Sequence, residues 1–235
     1  MKIITNYPNA YGPDYDHPEQ GASQNNHSNE VYLLELERLA SKKNFSYLDL
    51  GCAGGQSVID LFIKGNISCG IDGSNLDKMI KQSKSRSKPE PRYIGDLNTY
   101  NEDVHDNWLK YKDICLFKAD ITKPFQLFNE KDEIQKFDLI TAWDVLEHLL
   151  PESVDDFLEN LRIHLSENGH FICLINLVEN YHHRCTKPKG WWIEKFEKFN
   201  FEDVGFNFNS SPRKKDNPTC ENDLAFIFKH KKYEN

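Results

Sequence analysis

The sequence predicts an α/β fold: a doubly wound, mainly parallel sheet with helices on both faces, closed at one edge by a C-terminal antiparallel hairpin. Three observations carry this. From residue 45 onward, short apolar runs alternate with helix-period segments, the pattern of βαβ units. A cluster of small residues stands where the first buried run turns into a helix, in FSYLDLGCAGGQSVIDLF, residues 45–62. Near the C-terminus two strand-like runs, NFEDVGFNFN and DLAFIFKHKK, flank the polar loop SSPRKKDNPTCEN, as an edge hairpin requires.

The elements follow in order. Residues 1–24 are rich in Asn, Pro, Gly, Tyr and Asp and hold no sustained period, so they read as an arm. In SNEVYLLELERLASKK, Val31, Leu34 and Leu39 recur near helical spacing. Ser28 can cap and Lys42 and Lys43 suit a C-terminus, so a helix is expected over about 28–42. Residues 1–42 are thus arm and helix. FSYLDLG and SCGIDG read as strands around the helix QSVIDLFIKG, and NLDKMIKQSK reads as a second helix. DICLFKAD, FDLITAWD and GHFICLINL read as further strands. PESVDDFLENLRIHL carries the clearest amphipathic stripe, Val154, Phe157, Leu158, Leu161 and Leu165, with Gly169 as a stop. WWIEKFEKF is the last helix. Residues 85–113, interrupted by Pro89 and Pro91, are too long for a plain helix-to-strand connection and are expected to be an insertion. Arm and insertion are expected to fold over the site as a lid.

The 235 residues suit one domain, 1–235, with a full hydrophobic core. Twenty-nine Lys and Arg against 37 Asp and Glu give a formal charge of −8, which opposes attraction to a polyanion. No extended nucleic acid and no membrane is therefore expected as a partner. No apolar run approaches the roughly 18 residues that span a bilayer, and the first residues lack the apolar segment of a secretory signal. A cytoplasmic protein is expected. The six cysteines form no CxxC pair, so no disulfide framework is expected. Four sit in or beside apolar runs as small hydrophobes, and Cys185 and Cys220 lie in polar loops as surface thiols.

Asp49, Gly51, Ala53, Gly54 and Gly55 stand at a strand-to-helix turn. Small residues there let a ligand approach the backbone while a helix N-terminus offers its N–H groups. A dinucleotide G-x-G-x-x-G would need glycine at positions 53 and 56, where the chain has Ala53 and Gln56. The run fits D-x-G-x-(G/A)-x-G instead, and it resembles the first motif of class I S-adenosylmethionine-dependent methyltransferases. The resemblance continues through residue 176. CGIDGS places Asp72 and Gly73 at the next strand end, where the family's acid accepts hydrogen bonds from the ribose hydroxyls. LFKADIT, with Asp120 and Ile121, resembles the family's adenine-side turn, and FDLITAWDVLEHL its fourth-strand motif, with Trp143 taken as a donor-pocket residue. The resemblance implies a Rossmann-like sheet of seven strands, S-adenosylmethionine as methyl donor and a small-molecule acceptor.

Methyl transfer from a sulfonium is an in-line displacement that needs alignment and exclusion of water. A hydroxyl acceptor must also lose its proton, to a base or under the influence of a metal. If the chain is helical through WDVLEHL, Asp144, Glu147 and His148 share one face and suit a divalent ion. This resembles the E-x-x-E-H motif of metal-dependent O-methyltransferases of the ubiquinone-biosynthesis type and of small-RNA 2′-O-methyltransferases, with Asp144 for the first glutamate. The last ligand in such sites follows the fifth strand, where His182 and His183 stand here. The expected ligand set is Asp144, Glu147, His148 and His182. His148, His182 or His183 acting as a base is the alternative. The reaction expected is O-methylation of a small or medium hydroxyl-bearing molecule, such as a sugar or secondary metabolite. N-methylation of a small amine, or donor binding in a regulatory protein without catalysis, are the alternatives.

Overall fold

In a computed structural model describing residues 1–12, 29–75, 104–209 and 222–232, the chain opens with a strand, β1 (Lys2–Thr5), where the sequence suggested an arm. Next comes α1 (Glu30–Ala40), capped by Asn29, whose side chain accepts the N–H of Tyr32. Ser28 lies outside the described residues. Then follow β2 (Ser46–Leu50), α2 (Gln56–Ile63), β3 (Ile67–Asp72), α3 (Val104–Tyr111), β4 (Leu116–Lys118), β5 (Phe125–Phe128) and β6 (Phe137–Trp143). Two 3-10 turns lead to α4 (Val154–His164), β7 (Leu165–Asn176), α5 (Lys189–Lys198), β8 (Phe201–Asp203) and β9 (Asp223–His230).

One sheet has seven strands in the order β4-β3-β2-β6-β7-β9-β8. Its first five strands pair in parallel, and β9 joins β7 and β8 antiparallel. This is the doubly wound sheet with a closing hairpin. Period-2 alternation sends the side chains of β2 to two cores. Leu48 and Leu50 join Phe157, Leu161, Trp192 and Phe196 under α4 and α5, while Tyr47 joins Tyr32, Val58 and Trp108 under α1, α2 and α3. Each fully buried Leu or Phe contributes about 1.5–3 kcal/mol, so a sheet covered on both faces holds its site rigidly.

β1 and β5 form a separate antiparallel ribbon, with Ile3 opposite Leu127. Four-residue strands are too short to show a period, which is why neither was legible in the sequence. α3 falls within 85–113, and the rest of that insertion, with most of NLDKMIKQSK, lies outside the described residues. Cys185 is fully buried, not a surface thiol, because its N–H bonds to Glu147 O just past β6 and its side chain joins the core with Leu146 and Trp192. Cys220 lies outside the described residues. No helix among them is long and apolar enough to cross a membrane.

Candidate active site

The loop after β2 takes three left-handed residues in five: Gly51 at φ 81°, Ala53 at φ 50° and Gly55 at φ 75°. A Cβ on Gly51 would lie 2.5 Å from Cγ2 of Val145, and one on Gly55 2.5 Å from Cδ2 of Leu116. Glycine is required at both by conformation and by space. The loop is held from two sides. Ile71 O accepts the N–H groups of Gly51 and Cys52, and Asp72 Oδ2 accepts that of Ala53 at 2.9 Å. From α3, Trp108 Nε1 donates to Ala53 O at 3.0 Å and Asn107 Nδ2 to Gly54 O at 3.0 Å. Sequence reasoning assigned no such role to Asn107 or Trp108. The one signal was Trp108, a large aromatic inside a mainly polar insertion.

Asp72 is buried at the end of β3, with Oδ1 accepting the Ser74 N–H at 2.7 Å. Each carboxylate oxygen can accept a second bond, so the side chain braces the loop and keeps the capacity to accept further donors. Lys118, its register partner on β4, reaches the Ser74 carbonyl. Burial lowers the Lys118 pKa, and the charge of Asp72 acts against that. Lys118 was not picked out from the sequence.

The N-terminal segment crosses these strand ends. Ala10 N–H donates to Gly73 O at 2.9 Å, and Asp120 N–H donates to Tyr7 O at 2.8 Å. A Cβ on Gly73 would sit 2.8 Å from that of Ala10. Asp120 Oδ1 accepts from both the N–H and the hydroxyl of Thr122, and the buried Ile121 offers its carbonyl to Asn160 at 2.9 Å. Trp143 is buried in the core under α1, donating from Nε1 to Tyr32 Oη at 3.2 Å.

Past β6 the chain departs from the expected helix. Asp144 takes φ 53°, and only Leu146–His148 form a single 3-10 turn, so Asp144, Glu147 and His148 do not share an α-helical face. The side chains brought together are Glu147, His148 and His183, whose ligand atoms lie within 4.8 Å of one another. Asp144 and His182 stand outside this group. The cause is the loop after β7. Glu147 O accepts the N–H groups of Arg184 at 2.7 Å and Cys185 at 2.9 Å, which turns His183 inward, while His182 packs edge-on against Tyr181. His183 Nδ1 lies 2.6 Å from Val178 O. A carbonyl only accepts, so Nδ1 carries the proton and Nε2 keeps its lone pair for a proton or a metal.

Glu147 is fully buried, and neither carboxylate oxygen has a hydrogen-bond partner. Burial, then the charge of Asp144, pushes its carboxyl up to about 8. His148 pulls the other way, as do the backbone amides of Glu147 and Asn176, which face the carboxyl outside hydrogen-bond geometry. Leaving such a group unpaired costs about 1–3 kcal/mol or more. One carboxylate and two imidazoles are a donor set that fits a divalent ion.

A family model described as a methyltransferase domain matches residues 25–204. No curated protein sequence matches the chain. Three solved structures share the fold at low identity. An S-adenosylmethionine-dependent methyltransferase from Clostridium acetobutylicum is 14% identical, with TM-score 0.53, covering 85% of this chain and 89% of its own. A TehB-like methyltransferase from Corynebacterium glutamicum is 17% identical, with TM-score 0.52 and coverage of 86% and 87%. A protein from Pyrococcus horikoshii is 16% identical, with TM-score 0.52 and coverage of 94% and 96%.

Proposed function

The chain belongs to the methyltransferase domain family and is an S-adenosylmethionine-dependent methyltransferase, and from that premise we propose that it methylates a hydroxyl of a small or medium-sized molecule, such as a sugar or secondary metabolite. The observation that carries this reading is the meeting of Glu147, His148 and His183 one turn beyond β6, with Val145 of the same turn packed against Gly51 of the glycine loop. A hydroxyl must lose a proton as the new bond forms, and an amine needs much less help. This group can take that proton next to the loop that holds the donor.

Asp49, Gly51, Ala53, Gly55, Asp72, Gly73, Asp120 and Ile121 form the donor site in this reading. S-adenosylmethionine supplies an electrophilic methyl group when bound. Gly51 and Gly55 keep the loop clear of side chains, and Asp72 accepts the ribose hydroxyls. Asp120 and Ile121 present the turn beside the adenine, under the strap of residues 7–10. At the acceptor, Glu147, His148 and His183 would hold a divalent ion, whose Lewis acidity lowers the pKa of a hydroxyl. His183 Nε2 is also poised to accept the proton directly, because Val178 O fixes the tautomer.

The test is methyl transfer from labelled donor to matched panels of hydroxyl and amine acceptors, with and without a strong chelator. Transfer to hydroxyls is expected, falling roughly 100-fold or more in His183→Ala. Loss on chelation and recovery with a divalent ion would identify the metal. Chelator-resistant activity with no metal by elemental analysis would leave His183 as the base. Transfer to amines alone, unaffected by His183→Ala, would overturn the reading.

A further inference from the structure

Asp49 is the end point of a buried hydrogen-bond chain that the donor site does not by itself require. The β2–β6 register sets Asp49 beside Thr141, and Thr141 Oγ1 lies 2.7 Å from Asp49 Oδ1. Tyr47 Oη lies 2.8 Å from Thr141 Oγ1, and Tyr32 Oη 3.0 Å from Tyr47 Oη. Trp143 Nε1 lies 3.2 Å from Tyr32 Oη. Tyr32, Tyr47 and Thr141 are fully buried.

The chain has one possible direction. A carboxylate only accepts and an indole N–H only donates. Thr141 therefore gives its single proton to Asp49, so Tyr47 must donate to Thr141 and Tyr32 to Tyr47. Burial, reinforced by Asp49, raises both tyrosine pKa values, so the phenols keep these protons. The series runs from Trp143 through Tyr32, Tyr47 and Thr141 and ends on a negative charge.

We propose that Thr141, Tyr47 and Tyr32 are positioning residues for the methyl donor, orienting the Asp49 carboxylate toward the donor's ammonium group. The inference rests on the donor reading above. Phe at positions 32 and 47 and Val at 141 would fill the same space without burying three hydroxyls, and apolar replacements of buried polar groups are often neutral or stabilising. Holding Oδ1 fixes the plane of the carboxylate and so the direction of its second oxygen. The donor carries two cations, a sulfonium and an ammonium, and only the ammonium has protons to give a carboxylate. The network also ties α1, through Tyr32, to the loop that begins two residues after Asp49.

The experiment is a thermodynamic cycle. S-adenosylhomocysteine and its deaminated analogue, which lacks the ammonium, are titrated by calorimetry into wild type, Thr141→Val, Thr141→Ser and Tyr47→Phe. Thr141→Val should weaken S-adenosylhomocysteine about tenfold, with the analogue held within about twofold. Thr141→Ser should restore wild-type affinity, and Tyr47→Phe should show a smaller, equally ammonium-dependent loss. Tyr47→Phe keeps the ring and so carries the test if Thr141→Val does not fold. Unchanged affinity in both variants, or equal loss for both ligands, would overturn the proposal. Failure of wild type to bind S-adenosylhomocysteine would instead overturn the donor reading beneath it.

Discussion

Two residues show how local chemistry sets measurable properties. Gly51 combines a left-handed backbone with a Cβ position 2.5 Å from Val145. Gly51→Ala should therefore destabilise the protein by roughly 1–3 kcal/mol and shrink the melting shift caused by S-adenosylhomocysteine. A normal ligand shift in that variant would remove the loop from the donor site. His164 joins α4 to the β1–β5 ribbon. Its Nδ1 lies 2.8 Å from Asn160 O and its Nε2 accepts the Leu127 N–H at 3.1 Å, so the native ring is neutral. Burial lowers its pKa from 6.5 to about 4, helped by Lys136 and opposed by the Asn160 carbonyl. Below the unfolded value the unfolded chain binds a proton that the native one refuses. The stabilisation is thus complete above about pH 6.5 and is lost progressively down to about pH 4, by about 3 kcal/mol in order of magnitude. Melting curves of wild type and His164→Gln should converge as the pH falls through that window. A constant gap would mean that His164 does not titrate as its burial requires.

At the scale of elements, the glycine loop depends on two segments that do not belong to its own strand-turn-helix unit. α3 supplies Asn107 and Trp108 to the carbonyls of Gly54 and Ala53. Asn107→Leu removes that donor and also the bond to Gln56. It should weaken S-adenosylhomocysteine by roughly 3- to 10-fold, as read by calorimetry. The other segment is the strap of residues 7–10, anchored by β1 on β5 and hydrogen-bonded to Gly73 and Asp120. Deleting residues 1–10 should speed ligand dissociation in a stopped-flow experiment, since Gly73 and Asp120 lose their cover and a bond each. An unchanged rate would make the strap a cover for the sheet edge alone. The expected lid is described only in these parts, the arm to residue 12 and the insertion from residue 104.

The whole molecule adds its field to these local terms. With a charge of −8, binding to RNA should be undetectable at about physiological salt, where screening acts within about 8 Å. A filter-binding assay with unstructured and duplex RNA checks this, and tight, salt-sensitive retention would contradict it. The sequence by itself determined the alternation of strands and helices, the closing hairpin and the glycine turn. A parallel sheet covered on both faces needs apolar side chains on both, so residues 47–50 and 139–143 are apolar but for Asp49 and Thr141, and glycine alone fits Gly51 and Gly55. Those are local constraints, and they leave local marks. That His183 rather than His182 lies beside Glu147 and His148 goes with the bonds of Arg184 and Cys185 to Glu147 O and of His183 Nδ1 with Val178 O, which a residue pattern does not carry. Asp144 stands outside the group of Glu147, His148 and His183, at a left-handed residue where the spacing assumed a helix. The path from Trp143 to Asp49, and the reach of Asn107 and Trp108 to the glycine loop, depend on register and packing between segments far apart in the chain. Only the tertiary structure could decide these, because whether a polar side chain is a partner or a bystander is set by what the fold places within about 3 Å of it.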